Sequence, residues 1–159
     1  MRALRRQLEQ IYDTYGRQLY VCAVAVTGNP AMAEDAIHEA FCRGLELQQM
    51  PRNLKAYMFA SVRNAAVDEL RRRGRTGRLQ TECIFDPSPG PVESAQQNQF
   101  REAVAAGLAK LSDDERETIV QHLYGRLTFQ EIADIRQRPL GTVASWYRRG
   151  LAKLKEYLE

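Results

Sequence analysis

The residues of this chain best equipped for chemistry lie near its C-terminus. Thr142, Ser145, Arg148 and Arg149 stand in the run "TFQEIADIRQRPLGTVASWYRRGLAKL", residues 128–154. Short side chains let a backbone approach a groove, and arginine donates to guanine edges or phosphate oxygens. A second basic cluster, Arg71-Arg72-Arg73-Gly74-Arg75-Thr76-Gly77-Arg78, lies mid-chain. Net charge is only +3, but it is unevenly placed: residues 1–78 hold thirteen Lys+Arg against eight Asp+Glu, and residues 79–99 hold three acids and no base. Clusters of this kind suit polyanions, nucleic acid above all. A single one, taken alone, reads equally well as a solvated basic surface.

Other chemistries find less support. Cys22, Cys42 and Cys83 are odd in number, and none has C-x-x-C spacing. His38 and His122 have no cysteine at ligand spacing, so neither a zinc site nor a disulfide framework is indicated. Cys22 and Cys42 fall in helical patterns and are expected to be small core residues. There is no nucleophile elbow and no phosphate loop. Glu34, Asp35 and His38 could serve a nucleic-acid enzyme, but they share one helix and have no metal partners elsewhere. No enzyme and no cofactor is expected. No signal peptide and no apolar run of spanning length is present, which suggests a soluble protein of a reducing cytoplasm.

The elements that position these residues are helices throughout, because apolar residues recur every three or four positions and no segment alternates with period two. Leu4, Leu8, Ile11, Tyr15, Leu19, Cys22 and Val26 form the stripe of a first helix. Asn29 is a candidate N-cap with Pro30 at the first position of a second helix, whose inward residues are expected to be Ala33, Ile37, Ala40, Phe41 and Leu45. Asn53 can cap a third, with Tyr57, Ala60, Ser61, Asn64, Val67 and Leu70 on its inner face. "DPSPGPVES" puts three prolines within five residues, which excludes a helix there. The chain is therefore expected to be all-α, with two small helical domains, 1–76 and 97–159, joined by a flexible linker, 77–96.

In the second domain Ser112 to Glu115 and Thr128 to Glu131 are capping boxes, and Gly125 is expected to close the helix between them. A helix of barely two turns then ends at Arg136-Gln137-Arg138, and Pro139 is expected at the first position of a long last helix. Two helices joined by such a turn make a helix-turn-helix, whose second helix enters the major groove of DNA. Leu140, Val143, Tyr147, Leu151, Leu154 and Leu158 should form its buried side. Thr142, Ser145, Arg148, Arg149 and Ala152 fall opposite. Trp146 could stack on a sugar or base, or pack at the domain's edge. An ordinary helical hairpin with a basic surface is the alternative.

"LSDDERETIVQHLYGRLTFQEIADIRQRPLGTVASWYRRGLAKL" resembles the promoter-reading C-terminal domain of bacterial sigma factors. "NPAMAEDAIHEAFCR" resembles the helix with which they grip the polymerase clamp, and "LKAYMFASVRNAAVDELRRR" the helix that follows it. Their order and spacing resemble the extracytoplasmic-function group. The resemblance implies a sigma factor that binds core RNA polymerase, reads the −35 element as duplex and the melted −10 element as single strand, and is controlled by an anti-sigma factor. By the same resemblance Thr142, Ala144, Ser145, Arg148 and Arg149 meet the −35 element. Arg52, Asn53, Lys55, Tyr57, Asn64, Arg71, Arg72 and Arg73 meet the −10 element. Glu34, Asp35 and Glu39 bind polymerase. Tyr57 and Asn64 read equally as core residues, and the helix dipole alone accounts for Glu34 and Asp35.

Three positions depart from the family pattern. Ala144 stands where a base is usual, Arg138 where a Ser or Thr caps the last helix, and Gln137 where the turn has glycine. A missing cap costs about 1 kcal/mol. A self-sufficient DNA-binding regulator with a similar helix-turn-helix is the rival reading, but it would not need the "AEDAIHEAF" segment.

Overall fold

The computed structural model describes residues 2–74 and 95–159. Among these the chain forms seven helices and no strand: α1 (Arg2–Thr27), α2 (Pro30–Leu45), α3 (Leu54–Arg73), α4 (Ala95–Ala109), α5 (Asp113–Leu123), α6 (Phe129–Arg136) and α7 (Leu140–Leu158). The expected linker, except for its last two residues, and Cys83 lie outside the described residues; α4 already begins at Ala95.

The starts of these helices follow from local chemistry. The Asn29 side chain accepts from the Met32 amide at 3.1 Å and Asn53 from the Ala56 amide at 3.0 Å, each satisfying a donor that the first turn leaves without a partner. Both expected capping boxes are formed: Ser112 and Glu115 at α5, Thr128 and Glu131 at α6.

Helices α1, α2 and α3 pack on one another, and α5, α6 and α7 do the same, with α4 laid on α7. The two groups also meet each other, α1 against α5 and α3 against α6, so that one continuous hydrophobic core runs from Leu4 to Val143. This contact explains several departures from the expected faces. From Leu19 on, α1 is buried on nearly every side, Val21 to Thr27 without exception, because α2 and α3 cover one flank and α5 the other. The buried face of α3 is Leu54, Met58, Phe59, Val62, Ala65, Ala66 and Glu69 rather than the expected set; Tyr57 (36 % exposed) and Asn64 point outward. Both stripes satisfy helical spacing, and the bulkier apolar one is the one buried. Leu45 is 54 % exposed and Cys42 lies on the surface, while Cys22 is buried, which pushes its thiol pKa far above the ordinary value.

Gly125 does not close α5. Tyr124 is the last-turn cap, and Arg126 takes the left-handed conformation at φ 56°. The glycine is needed for space: a Cβ there would stand 2.6 Å from the Gln121 carbonyl oxygen and 3.0 Å from Cys22 Sγ.

Candidate nucleic-acid interface

The surface around the start of α7 is built from α6 upward. Thr128 and Glu131 fix the first turn of α6, their reciprocal bonds measuring 3.1 and 2.9 Å. Eight residues later Gln137 turns left-handed, φ 52° and ψ 51°, and Arg138 N donates to Ala133 O at 3.1 Å. Pro139 is the N-cap of α7 rather than its first helical residue, and no side chain caps the helix. A proline φ of −60° with ψ at 147° redirects the chain, since the ring fixes φ near −65° on its own. The amides of Thr142 and Val143 reach Pro139 O at 3.0 and 3.2 Å. Those of Leu140 and Gly141 have no intrahelical acceptor, and they lie at the positive end of a 19-residue helix.

Three contacts hold α7 at its angle. The rings of His122, Phe129 and Tyr147 meet with centroids 4.6 to 5.0 Å apart. Lys153 donates to both oxygens of Glu115 at 2.9 and 3.0 Å. Burial would raise the Glu115 carboxyl, but the Lys153 bonds and charge, with the bonds to Ser112, hold it below the ordinary value. Gly150 lets α7 lie close on α5: a Cβ there would be 2.6 Å from Ile119 Cδ1. Trp146 packs against the core with the Arg136 guanidinium 4.5 Å over its ring.

The result is a shallow surface hollow of about 580 Å³ lined by Pro139, Gly141, Thr142, Ser145, Arg148 and Arg149. Four of the five expected −35 residues come together there, while Ala144 is half-buried outside it. Arg148 reaches only Ser145 Oγ, at 3.5 Å, and Arg149 has no partner among the described residues. Pro139 and Gly141 went unread as site residues, although a proline and a glycine at a helix start are the signal of a backbone left open. The expected buried side of α7 is narrower than its apolar stripe. Val143 is fully buried and Tyr147, Leu151 and Leu154 pack on the core, but Leu140 and Leu158 are 47 % and 39 % exposed.

On the first group of helices the expected residues divide. Tyr57, Asn64 and Arg71 recur at seven-residue intervals along one exposed face of α3, about 10 Å apart at 1.5 Å per residue, with exposed Asp68 between the last two. Arg52 and Asn53 are exposed at its start; Asn53 is also the cap, and Lys55 Nζ sits 4.5 Å over the Tyr15 ring. Arg71 is unpaired among the described residues, whereas Arg72 is bonded to Glu69 and Arg73 pairs with Glu69 at 3.0 Å and Asp35 at 2.8 Å. Asp35 is thus turned toward α3, and Glu39 is held by Arg43 at 2.7 Å. Glu34 instead lines a groove of about 850 Å³ between α1 and α2, with Tyr12, Ile37, His38, Phe41 and Leu45. Tyr12 and Phe41 meet edge to face at 5.5 Å. Phe41 was expected only as an inward residue, and Tyr12 lies outside the expected stripe of α1.

A helix-turn-helix with an open recognition-helix start, packed against a three-helix bundle, is the architecture of a DNA-reading transcription factor. The family model for sigma-70 region 2 matches residues 11–76, and that for sigma-70 region 4 matches residues 107–156. The chain belongs to the sigma-70 family, in its extracytoplasmic-function group. Relatives include the ECF RNA polymerase sigma factors SigM and SigW of Bacillus subtilis. SigM is 24 % identical over 80 % of this chain and 80 % of its own; SigW is 24 % identical over 93 % and 87 %. SigL of Mycobacterium tuberculosis is 27 % identical over 87 % and 81 %. The fold is shared with the sigma factor RpoE of Bartonella quintana, solved in complex with the anti-sigma factor NepR: TM-score 0.71, 23 % identity, 99 % of this chain and 98 % of that one. Proteins of this family are transcription initiation factors, not enzymes: they bind core RNA polymerase and direct it to promoters. No described helix is long and apolar enough to cross a membrane.

Proposed function

We propose that α7 reads the −35 element as duplex, and that α3 with the segment before it holds the melted −10 strand. The observation that carries this reading is the uncapped start of α7 beside two arginines that no acid engages. Free amides and a positive helix end attract a backbone phosphate. Ser145 and Thr142 are small enough to admit a base edge, and Arg148 and Arg149 supply donors to guanine or phosphate. Ala144 offers only a methyl contact where a base would have reached further.

On α3, the exposed ring of Tyr57 offers a stacking surface for an unpaired base, Asn64 an amide for its edge, and Arg52 and Arg71 charge for the strand. Arg72 and Arg73, already neutralised by Glu69 and Asp35, contribute less. Glu34, Asp35 and Glu39 are the acids offered to the polymerase clamp. The groove beside Glu34, with Tyr12 and Phe41, adds the apolar area that an acidic rim alone lacks. The protein works in the cytoplasm, where polymerase is, and takes no cofactor. An anti-sigma factor is its proposed regulator; the RpoE relative is itself seen with one.

The test is run-off transcription with purified core polymerase on a genomic promoter library. Replacing Arg148 and Arg149 together with Ala should abolish cognate transcription and leave polymerase binding intact, while Asp35→Lys with Glu39→Lys should weaken polymerase binding. Tight, specific promoter binding by the chain without polymerase would refute the reading in favour of a self-sufficient regulator.

A further inference from the structure

Arg136 is the last residue of α6, and its side chain is only 4 % exposed. Its three guanidinium nitrogens each face a different residue of α5. Nε lies 3.0 Å from Glu117 Oε2, Nη1 donates to Thr118 Oγ1 at 3.3 Å, and Nη2 donates to Asp114 Oδ1. The Thr118 hydroxyl donates in turn to Asp114 O at 2.7 Å, which leaves its lone pairs for Arg136. A planar fork held at three points has a fixed plane as well as a fixed charge. The half-buried Trp146 of α7 lies across one face of that plane, its ring centroid 4.5 Å from the guanidinium carbon. The dipole of α6 accounts for a cation in its last turn, and the acids account for its burial. Neither calls for the ring.

We propose that Arg136, acting through Trp146, is a positioning residue that sets the roll of α7 and with it the discrimination among −35 sequences. The inference rests on the duplex-reading role proposed above for α7. At 3.6 residues per turn, Trp146 stands about 40° from Thr142 and about 60° from Val143 around the helix axis. It therefore flanks the reading side, between that side and the buried one. Gly150 seats α7 on α5, but a helix seated along one side can still roll about its own axis. A ring on the flank, stacked on a plane that α5 holds fixed, opposes that roll.

The roll matters because base reading is directional. Turning a helix by about 20° carries side-chain ends 5–6 Å from its axis through about 2 Å. A hydrogen bond to a base edge is made only over about 2.7–3.2 Å, and a binding constellation has to be held to about 10–20°. Such a roll takes Ser145, Arg148 and Arg149 off the base edges they address. Attraction to phosphate is less demanding and carries no sequence information, so it survives. Trp146 does not line the hollow, and Arg136 is buried behind it, so neither side chain has to touch DNA to act.

The experiment reconstitutes holoenzyme from core polymerase and the full chain. It compares initiation from a promoter selected by the run-off library with initiation from the same promoter carrying one changed base pair in its −35 element. The wild type should prefer the matched promoter by about tenfold or more, the usual cost of a misread pair. Arg136→Lys keeps the charge and loses the fork; it should bring that preference down to about two- or threefold, as a directional base contact is lost. Trp146→Leu should do the same, while Trp146→Phe keeps an aromatic face for the cation and should stay within about twofold of the wild type. Polymerase affinity and far-UV circular dichroism should be unchanged in all three. The preference is a ratio, so a variant that merely folds less well lowers both rates and leaves it unmoved; that result overturns the proposal. A preference kept by either Arg136→Lys or Trp146→Leu overturns it too, and if only the leucine variant loses it, Trp146 meets DNA itself. Should Arg136→Lys unfold, the leucine and phenylalanine variants of Trp146 decide alone. A wild type indifferent to every −35 change would defeat the duplex-reading role of α7, and this inference with it.

Discussion

Gln137 is the hinge residue of the helix-turn-helix, and its conformation yields a prediction that can be worked from the backbone. At φ 52° and ψ 51° it is left-handed, a region that costs an ordinary L-residue about 1–2 kcal/mol. Glycine would remove that cost but loses about 0.4–1 kcal/mol more chain entropy on folding. Gln137 is exposed and its side chain makes no bond that glycine would forfeit. The Gln137→Gly variant should therefore gain about 0.5–1 kcal/mol, the difference of the two terms. For a chain of 159 residues that is a rise in Tm of about 2 °C. Gln137→Val should lose about 1 kcal/mol or more, because a β-branched side chain at positive φ crowds the backbone. Thermal unfolding followed by far-UV circular dichroism reads both. If glycine lowers Tm, or if valine matches the wild type, the turn is not left-handed at this residue.

Gly125→Ala should destabilise the chain by about 1–3 kcal/mol, the range for forcing atoms into a filled site, read as a lowered urea midpoint; an unchanged midpoint would mean Gln121 O and Cys22 are not where a Cβ must go. Glu115 gives a pH signature. Its folded pKa lies below the ordinary 4.5, so its contribution is complete above that value and disappears as pH falls through the folded one. Lys153→Ala should flatten that acid limb of the stability curve, and an identical limb in the variant would show that Lys153 does not hold the carboxylate.

What could be read from the sequence was what local chemistry decides. The caps at Asn29, Asn53, Ser112 and Thr128 each need only a side chain and an amide three residues on, and all four form. The helix-turn-helix was legible for the same reason. What could not be read was set by contact between the domains. "YVCAVAVT" at the end of α1 is apolar on every side, a pattern that marks a helix covered all round; taken as one stripe of an independent domain, it hid the α5 contact. The polar string "DERETIVQ" in α5 gave no warning that Glu115 to Gln121 are all buried, since Glu115 and Glu117 are answered from other helices and Arg116 by Asp113 in the same one. The inner face of α3 was misread because helical spacing alone cannot rank two overlapping stripes. The charged candidate residues could be named from the sequence, but which of them were already paired could not.

That pairing sorts the basic residues better than their position in the sequence does. Arg63, Arg72, Arg73, Arg116 and Arg136 all sit within ion-pair distance of a carboxylate. Arg63, Arg73 and Arg136 tie one helix to another, Arg72 and Arg116 pair within their own, and the field of all five is largely cancelled at short range. Arg52, Arg71 and Arg149 have no partner among the described residues, and Arg148 has only a hydroxyl. Two of these four lie at the open start of α7 and two on the outer surface of α3 and the approach to it. A modest net charge therefore conceals uncommitted guanidinium groups at both candidate surfaces. A phosphate approaching either meets a cation that need not first be taken from an acid. The basic run at Arg71 to Arg73 looks the more imposing of the two clusters, yet Arg71 alone in it remains free for a strand. The two surfaces hold equal numbers of such arginines; what sets the C-terminal hollow apart as an anion-binding surface is the uncapped helix start beside them.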